Sequence, residues 1–107
     1  MSEIAGFFEQ MPGRVDKDKI AGMNATYQFN ISGDNGGEWS VAIANGDVTI
    51  GNGAAASPNI TLTISDENFA NLIQGKLNGQ TAFLTGKLKI QGDMTLAMKL
   101  QSLFSLG

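Results

Sequence analysis

Cysteine and histidine are both missing from the 107 residues, and each absence removes a class of chemistry. Without cysteine there can be no disulfide and no thiolate zinc site. Without histidine the commonest general base and the commonest transition-metal ligand are gone. An enzyme would have to work with carboxylates and lysines alone, and the sequence singles out none of them, so no catalytic residue, metal site or cofactor is expected. No window approaches 18 continuous apolar residues, the length a membrane-spanning helix needs. The start, Met1-Ser2-Glu3-Ile4, lacks the basic stretch and apolar run of a signal peptide. The end, Ser105-Leu106-Gly107, is not the Ser-Lys-Leu peroxisomal address. A cytoplasmic protein is the expectation. No basic stripe is present, which argues against nucleic acid as a partner.

What is present suits a small folded domain. Hydrophobic residues make up 42% and charged residues 16%, too apolar and too weakly charged for disorder. One domain over residues 1–107 with one core is expected. The net charge of −3 is uneven: three basic and seven acidic residues precede Gly53, and four basic and three acidic follow it.

Periodicity divides the chain into helix and strand. Ile4, Phe7, Phe8 and Met11 fall at i, i+3, i+4 and i+7, one face of a short helix that Pro12-Gly13 should stop. A polar stretch from Arg14 to Lys19 leads to a helical turn ending near Gly22. The period then drops to two. Ala25, Tyr27, Phe29 and Ile31 alternate with Thr26, Gln28 and Asn30, and Trp39, Val41 and Ile43 alternate with Ser40 and Ala42. Asn45-Gly46 is a strong signal for a type I′ hairpin turn into Val48 and Ile50. After a small-residue loop from Gly51 to Pro58, Ile60, Leu62 and Ile64 form a fourth alternating strand. Each strand has one apolar row and one small or polar row, so the sheet should be greasy on one face, wet on the other, and covered by helices on the greasy side.

Ser65 suits a helix N-cap, with Asp66 and Glu67 in the first turn and Phe69, Leu72 and Ile73 as the buried stripe before Gly75. A second short helix holds Thr81 to Leu84. Leu88 and Ile90 mark a fifth strand. Lys87 and Lys89 share its outer face, either as a solvated edge or as contacts for lipid headgroups in a transient membrane encounter. Asp93 can cap a last helix from Met94 to about Phe104. The fold class is α+β.

The last helix is apolar over more than one face. Leu96, Leu100 and Leu103 lie on one stripe, and Met94, Ala97, Met98 and Phe104 extend it sideways beyond what a one-sided helix needs. Two explanations stand: the N-terminal helix covers the second side, or that side lines a cavity or docks a partner. The two methionines would adapt to ligands of varied shape, and they are equally ordinary core fillers.

A longer composite pattern runs through this half. Phe69-x-x-Leu72-Ile73-x-Gly75-Lys76-Leu77-Asn78 is followed by Gln80-x-Ala82-Phe83. Gly86-Lys87-Leu88-Lys89-Ile90-x-Gly92-Asp93-Met94 comes next, and then Leu96-Ala97-Met98-Lys99-Leu100-Gln101. With the Trp39 strand and its Asn45-Gly46 turn, residues 20 to 104 resemble the sterol carrier protein type 2 domain, a non-specific lipid-transfer family. The resemblance implies a five-stranded mixed sheet of order 3-2-1-4-5 with helices on one face and an apolar tunnel between them. It also implies fatty acids, fatty acyl-CoA, phospholipids or sterols as ligands, bound without chemical change. On that basis the ligand-binding candidates are Trp39, Val41, Phe69, Leu72, Ile73, Gln80, Phe83, Leu88, Ile90, Met94, Ala97, Met98, Leu100 and Gln101, the two glutamines being placed to meet a ligand's polar end. The sequence departs from the family in lacking the peroxisomal tail and in its short N-terminal helix, which leaves the tunnel more open or calls for a partner to close it. The expected state is a monomer or weak dimer. The competing reading is an interaction or dimerisation module that docks a partner through the last helix.

Overall fold

The computed structural model describes residues 3–104, the side chains of Leu100, Gln101, Ser102 and Phe104 excepted. Five strands, β1 (Ala25–Ser32), β2 (Gly37–Ala44), β3 (Asp47–Asn52), β4 (Ile60–Ser65) and β5 (Leu88–Gly92), form a sheet of order β3-β2-β1-β4-β5. Only β1 and β4 pair in parallel; the other neighbours are antiparallel. The helices are α1 (Glu3–Arg14), α2 (Lys17–Ile20), α3 (Asp66–Ile73), α4 (Gly79–Leu84) and α5 (Met94–Phe104). The α+β class and the strand order thus match the expectation.

Register puts the apolar rows on one face. Phe29 lies opposite Trp39 and beside Leu62, Leu62 is opposite Ile90, and Tyr27 is flanked by Val41 and Ile60. Because side chains alternate along a strand, aligned partners share a face. The turn that sets the β2–β3 register is built by Asn45 at φ 55° and Gly46 at φ 78°, the pair of left-handed residues that a type I′ turn requires.

Aromatic packing fills the β2 side of this face. Phe8 of α1 is fully buried, stacks on Trp39 at 4.8 Å and on Phe69 at 5.6 Å, and meets Phe29 edge-on at 5.2 Å. The indole Nε1 of Trp39 is buried here without a hydrogen-bond partner among the described residues.

Two details differ from the sequence expectation. First, α1 runs through Pro12 to Arg14 rather than ending before it. Pro12 falls near the end of the helix, where it forfeits only its own ladder bond, and the Val15 N–H still donates to the Met11 carbonyl at 3.1 Å. Second, the wet face of the sheet is not wet at its centre. Gln28 is buried there, its Nε2 donating to the Gly53 carbonyl at 3.3 Å and its Oε1 accepting from the Ala55 N–H at 2.8 Å. The small-residue loop after β3 folds back across β1, and its backbone satisfies the amide that it covers.

Candidate lipid-binding cleft

β5 is an edge strand, so the apolar row formed by Leu88 and Ile90 has β4 on one side and no strand on the other. Covering that row falls to α4 and α5, which flank β5 in sequence. Asn78 caps α4, its Oδ1 accepting from the Thr81 N–H at 2.9 Å. Gly79 and Ala82 are buried, and residues this small let the helix lie close over the sheet. Gly86, at φ 78°, then reverses the chain, and the Lys87 N–H donates to the Ala82 carbonyl at 2.8 Å as β5 begins. At the other end of β5 the Asp93 N–H donates to the Asn59 carbonyl at 3.0 Å, while its Oδ1 accepts from the Thr95 N–H at 2.8 Å. That side-chain bond starts α5 and sends it back over the sheet.

The wide apolar surface of α5 is divided in two. Leu96 and Leu103 are buried in the core. Met94, Ala97 and Met98, at i, i+3 and i+4, form a separate ridge facing α4. Across from it, α4 presents Gln80, Phe83 and Leu84 with the same spacing. Between these ridges, with Leu88 and Ile90 as floor, lies a cleft of about 420 Å³ that Gly79 also lines. Gln80 is the one polar side chain in its lining among the described residues. Phe83, Leu84, Met94 and Met98 are 41%, 73%, 48% and 82% exposed, and they are the large apolar side chains left exposed among the described residues. All four line this one cleft.

A buried hydrogen bond fixes α5 to the sheet: the Tyr27 hydroxyl donates to the Leu96 carbonyl at 2.9 Å. Burial, aided by the negative charge of Asp93, pushes the Tyr27 pKa from 10.0 up to about 12. Since the folded value exceeds the unfolded one, the native state holds this proton more tightly. The resulting stability is complete below pH 10 and is lost as pH rises toward 12. Stability measured by denaturation across that window should fall in the wild type, and the Tyr27-dependent part of the fall should vanish in Tyr27→Phe. Identical pH profiles for the two proteins would contradict the buried placement of this hydroxyl.

The structure therefore brings together Gln80, Phe83, Leu88, Ile90, Met94, Ala97 and Met98. It places Trp39, Val41, Phe69 and Leu72 elsewhere, in or against the core beneath α1 and α3, with Ile73 packed at the edge of that core. Leu100 and Gln101 lie outside the described residues as far as their side chains are concerned. Two lining residues were missed. Leu84 could have been found from its spacing to Gln80, whereas Gly79 has no side chain to mark it.

A five-stranded sheet covered on one face by helices, with an apolar cleft at its edge, is an α+β architecture with a site for an apolar ligand. The profile of the SCP-2 sterol transfer family matches residues 7–105, and the chain belongs to that family. Its sequence is 43% identical over 93 residues to peroxisomal multifunctional enzyme A of Dictyostelium discoideum, covering 85% of this chain and 21% of the relative. The chain thus spans about a fifth of that relative's length. Among solved structures it is similar to palmitated SCP2L2 from Aedes aegypti, with a TM-score of 0.79 and 26% identity over 97% of this chain and 95% of that one. It is also similar to sterol carrier protein 2 from Yarrowia lipolytica in its apo form, with a TM-score of 0.77 and 28% identity over 95% and 87% of the two chains.

Proposed function

We propose that this chain binds and carries single-chain lipids, fatty acids or fatty acyl groups, in the cleft between α4, β5 and α5, without altering them chemically. The observation that carries this reading is the convergence, on one cleft, of the four large apolar side chains left exposed among the described residues, with Gln80 the one polar side chain among the described residues of its lining. A contiguous exposed apolar surface of this kind marks a binding site. Its size suits one chain rather than two. At about 420 Å³ the cleft falls toward the lower end of the roughly 300–1,000 Å³ of small-ligand sites. Burial at about 0.8 kcal/mol per methylene gives roughly 10 kcal/mol for a tail of about 12 carbons before ordering costs, enough for micromolar affinity without a specific polar contact. The palmitated relative from Aedes aegypti supports the same ligand class.

A series of fluorescent fatty acids provides the test. Binding is expected to be saturable, with affinity rising with chain length and levelling off once the tail outgrows the cleft. Absence of saturable binding across acyl, sterol and phospholipid probes would overturn the reading. The exposure of Leu84 and Met98 favours one competitor, a docking module for a second protein or a second copy. Light scattering with and without lipid separates them, since a dimer that ignores lipid is the competitor's signature.

A further inference from the structure

The two ridges of the cleft differ in chemistry. Phe83 and Leu84 on α4 are hydrocarbons, whereas Met94 and Met98 on α5 carry thioethers. Since the chain has no cysteine, methionine supplies all of its sulfur. The described methionines also differ in access. Met11 is buried in the core and Met23 is half-buried against it, while Met94 and Met98 are exposed. These two stand one turn apart on α5 and line the same cleft. A small oxidant in solution therefore meets sulfur at the cleft before it meets sulfur in the core.

We propose that Met94 and Met98 form a reversible oxidation site through which hydrogen peroxide lowers the affinity of the cleft for its lipid. In each event one peroxide oxygen passes to the sulfur. The O–O bond breaks, an S–O bond forms, the thioether gives up two electrons, and the peroxide leaves as water. The product is a sulfoxide, a polar hydrogen-bond acceptor where an apolar contact stood. In the empty cleft, water satisfies the new oxygen. Under a bound acyl tail it is cut off from water, and Gln80 is the one polar side chain among the described residues of the lining. The penalty therefore falls on the loaded state and spares the empty, folded one. Methionine sulfoxide reductases return the sulfoxide to the thioether, and with it the affinity. This inference rests on the lipid-carriage reading, and its test separates the two.

Mild hydrogen peroxide treatment, followed by tryptic peptide mapping and by titration with a fluorescent long-chain fatty acid, provides the test. One tryptic peptide, residues 90–99, holds both methionines, so its gain of oxygen reads the site directly. Met94 and Met98 are expected to oxidise ahead of Met11 and Met23, and more slowly when fatty acid is bound. Affinity should then fall roughly 10- to 100-fold with the urea unfolding midpoint unchanged, and recover after reductase treatment. The double variant Met94→Leu, Met98→Leu, compared with itself before and after peroxide, should show no such fall. Oxidation of residues 90–99 without loss of affinity, an equal peroxide-induced loss in the double variant, or a loss accompanied by a lowered unfolding midpoint would each overturn the proposal and leave the carriage reading intact. Failure of the untreated wild type to bind fatty acid would overturn both.

Discussion

Replacing Phe8 with alanine is expected to remove about 3–5 kcal/mol of stability, a large fraction of the roughly 5–15 kcal/mol available to a domain of this size. Phe8 is fully buried and its ring touches those of Phe7, Phe29, Trp39 and Phe69. Truncation therefore leaves a void whose walls come from two helices and two strands and cannot easily close. Besides the lost transfer energy, the stacked and edge-on ring pairs would be lost. Urea denaturation followed by circular dichroism measures the difference directly. A loss below about 1 kcal/mol, the range of an ordinary surface-like change, would show that α1 does not seat on the sheet as described.

Ala97→Trp should instead leave the fold standing and fill the cleft. Ala97 lies on the α5 ridge between Met94 and Met98, half-buried beside the floor residues Leu88 and Ile90. An indole there takes the space of several methylenes. At about 0.8 kcal/mol for each methylene displaced, losing three or four of them weakens binding of a long-chain fatty acid roughly 50- to 200-fold. Short-chain probes, which never reach the blocked volume, should bind almost as before. The expected signature is a plateau in the chain-length series that moves to shorter chains. Unchanged affinity for long chains would place the lipid somewhere other than this cleft.

Much of the fold could be read locally. Alternation in Tyr27-Phe29-Ile31 and Ile60-Leu62-Ile64 set strand faces, because a period of two is a property of the strand itself. Asn45-Gly46 and Ser65 declared a turn and a cap for equally local reasons, and the Ser65 Oγ does accept from the Asn68 N–H. The candidate site was half legible. Spacing and the family pattern pointed to Phe83, Leu88, Ile90, Met94, Ala97 and Met98, but could not say which apolar side chains α1 would cover. Trp39 and Phe69 look as suited to a pocket as Phe83 does. What separates them is Phe8, which stacks on both, and that contact joins residues 31 and 61 positions apart. The burial of Gln28 was hidden for the same reason, since the loop that covers it and two of the groups that satisfy it, Gly53 and Ala55, lie more than twenty residues away.

The seat of Trp39 has a practical consequence for optical experiments. It is the only tryptophan in the chain, stacked face to face on Phe8, and β1 and β4 separate its strand from the floor of the cleft. At about 4.8 Å per strand that is a lateral separation of roughly 14 Å. Intrinsic emission is thus a reporter of helix docking and unfolding, and a non-chromophoric fatty acid entering the cleft should barely alter it. The same separation is short on the scale of resonance energy transfer. A tail carrying a suitable acceptor should quench Trp39 as it binds, giving occupancy a signal of its own without any added label on the protein.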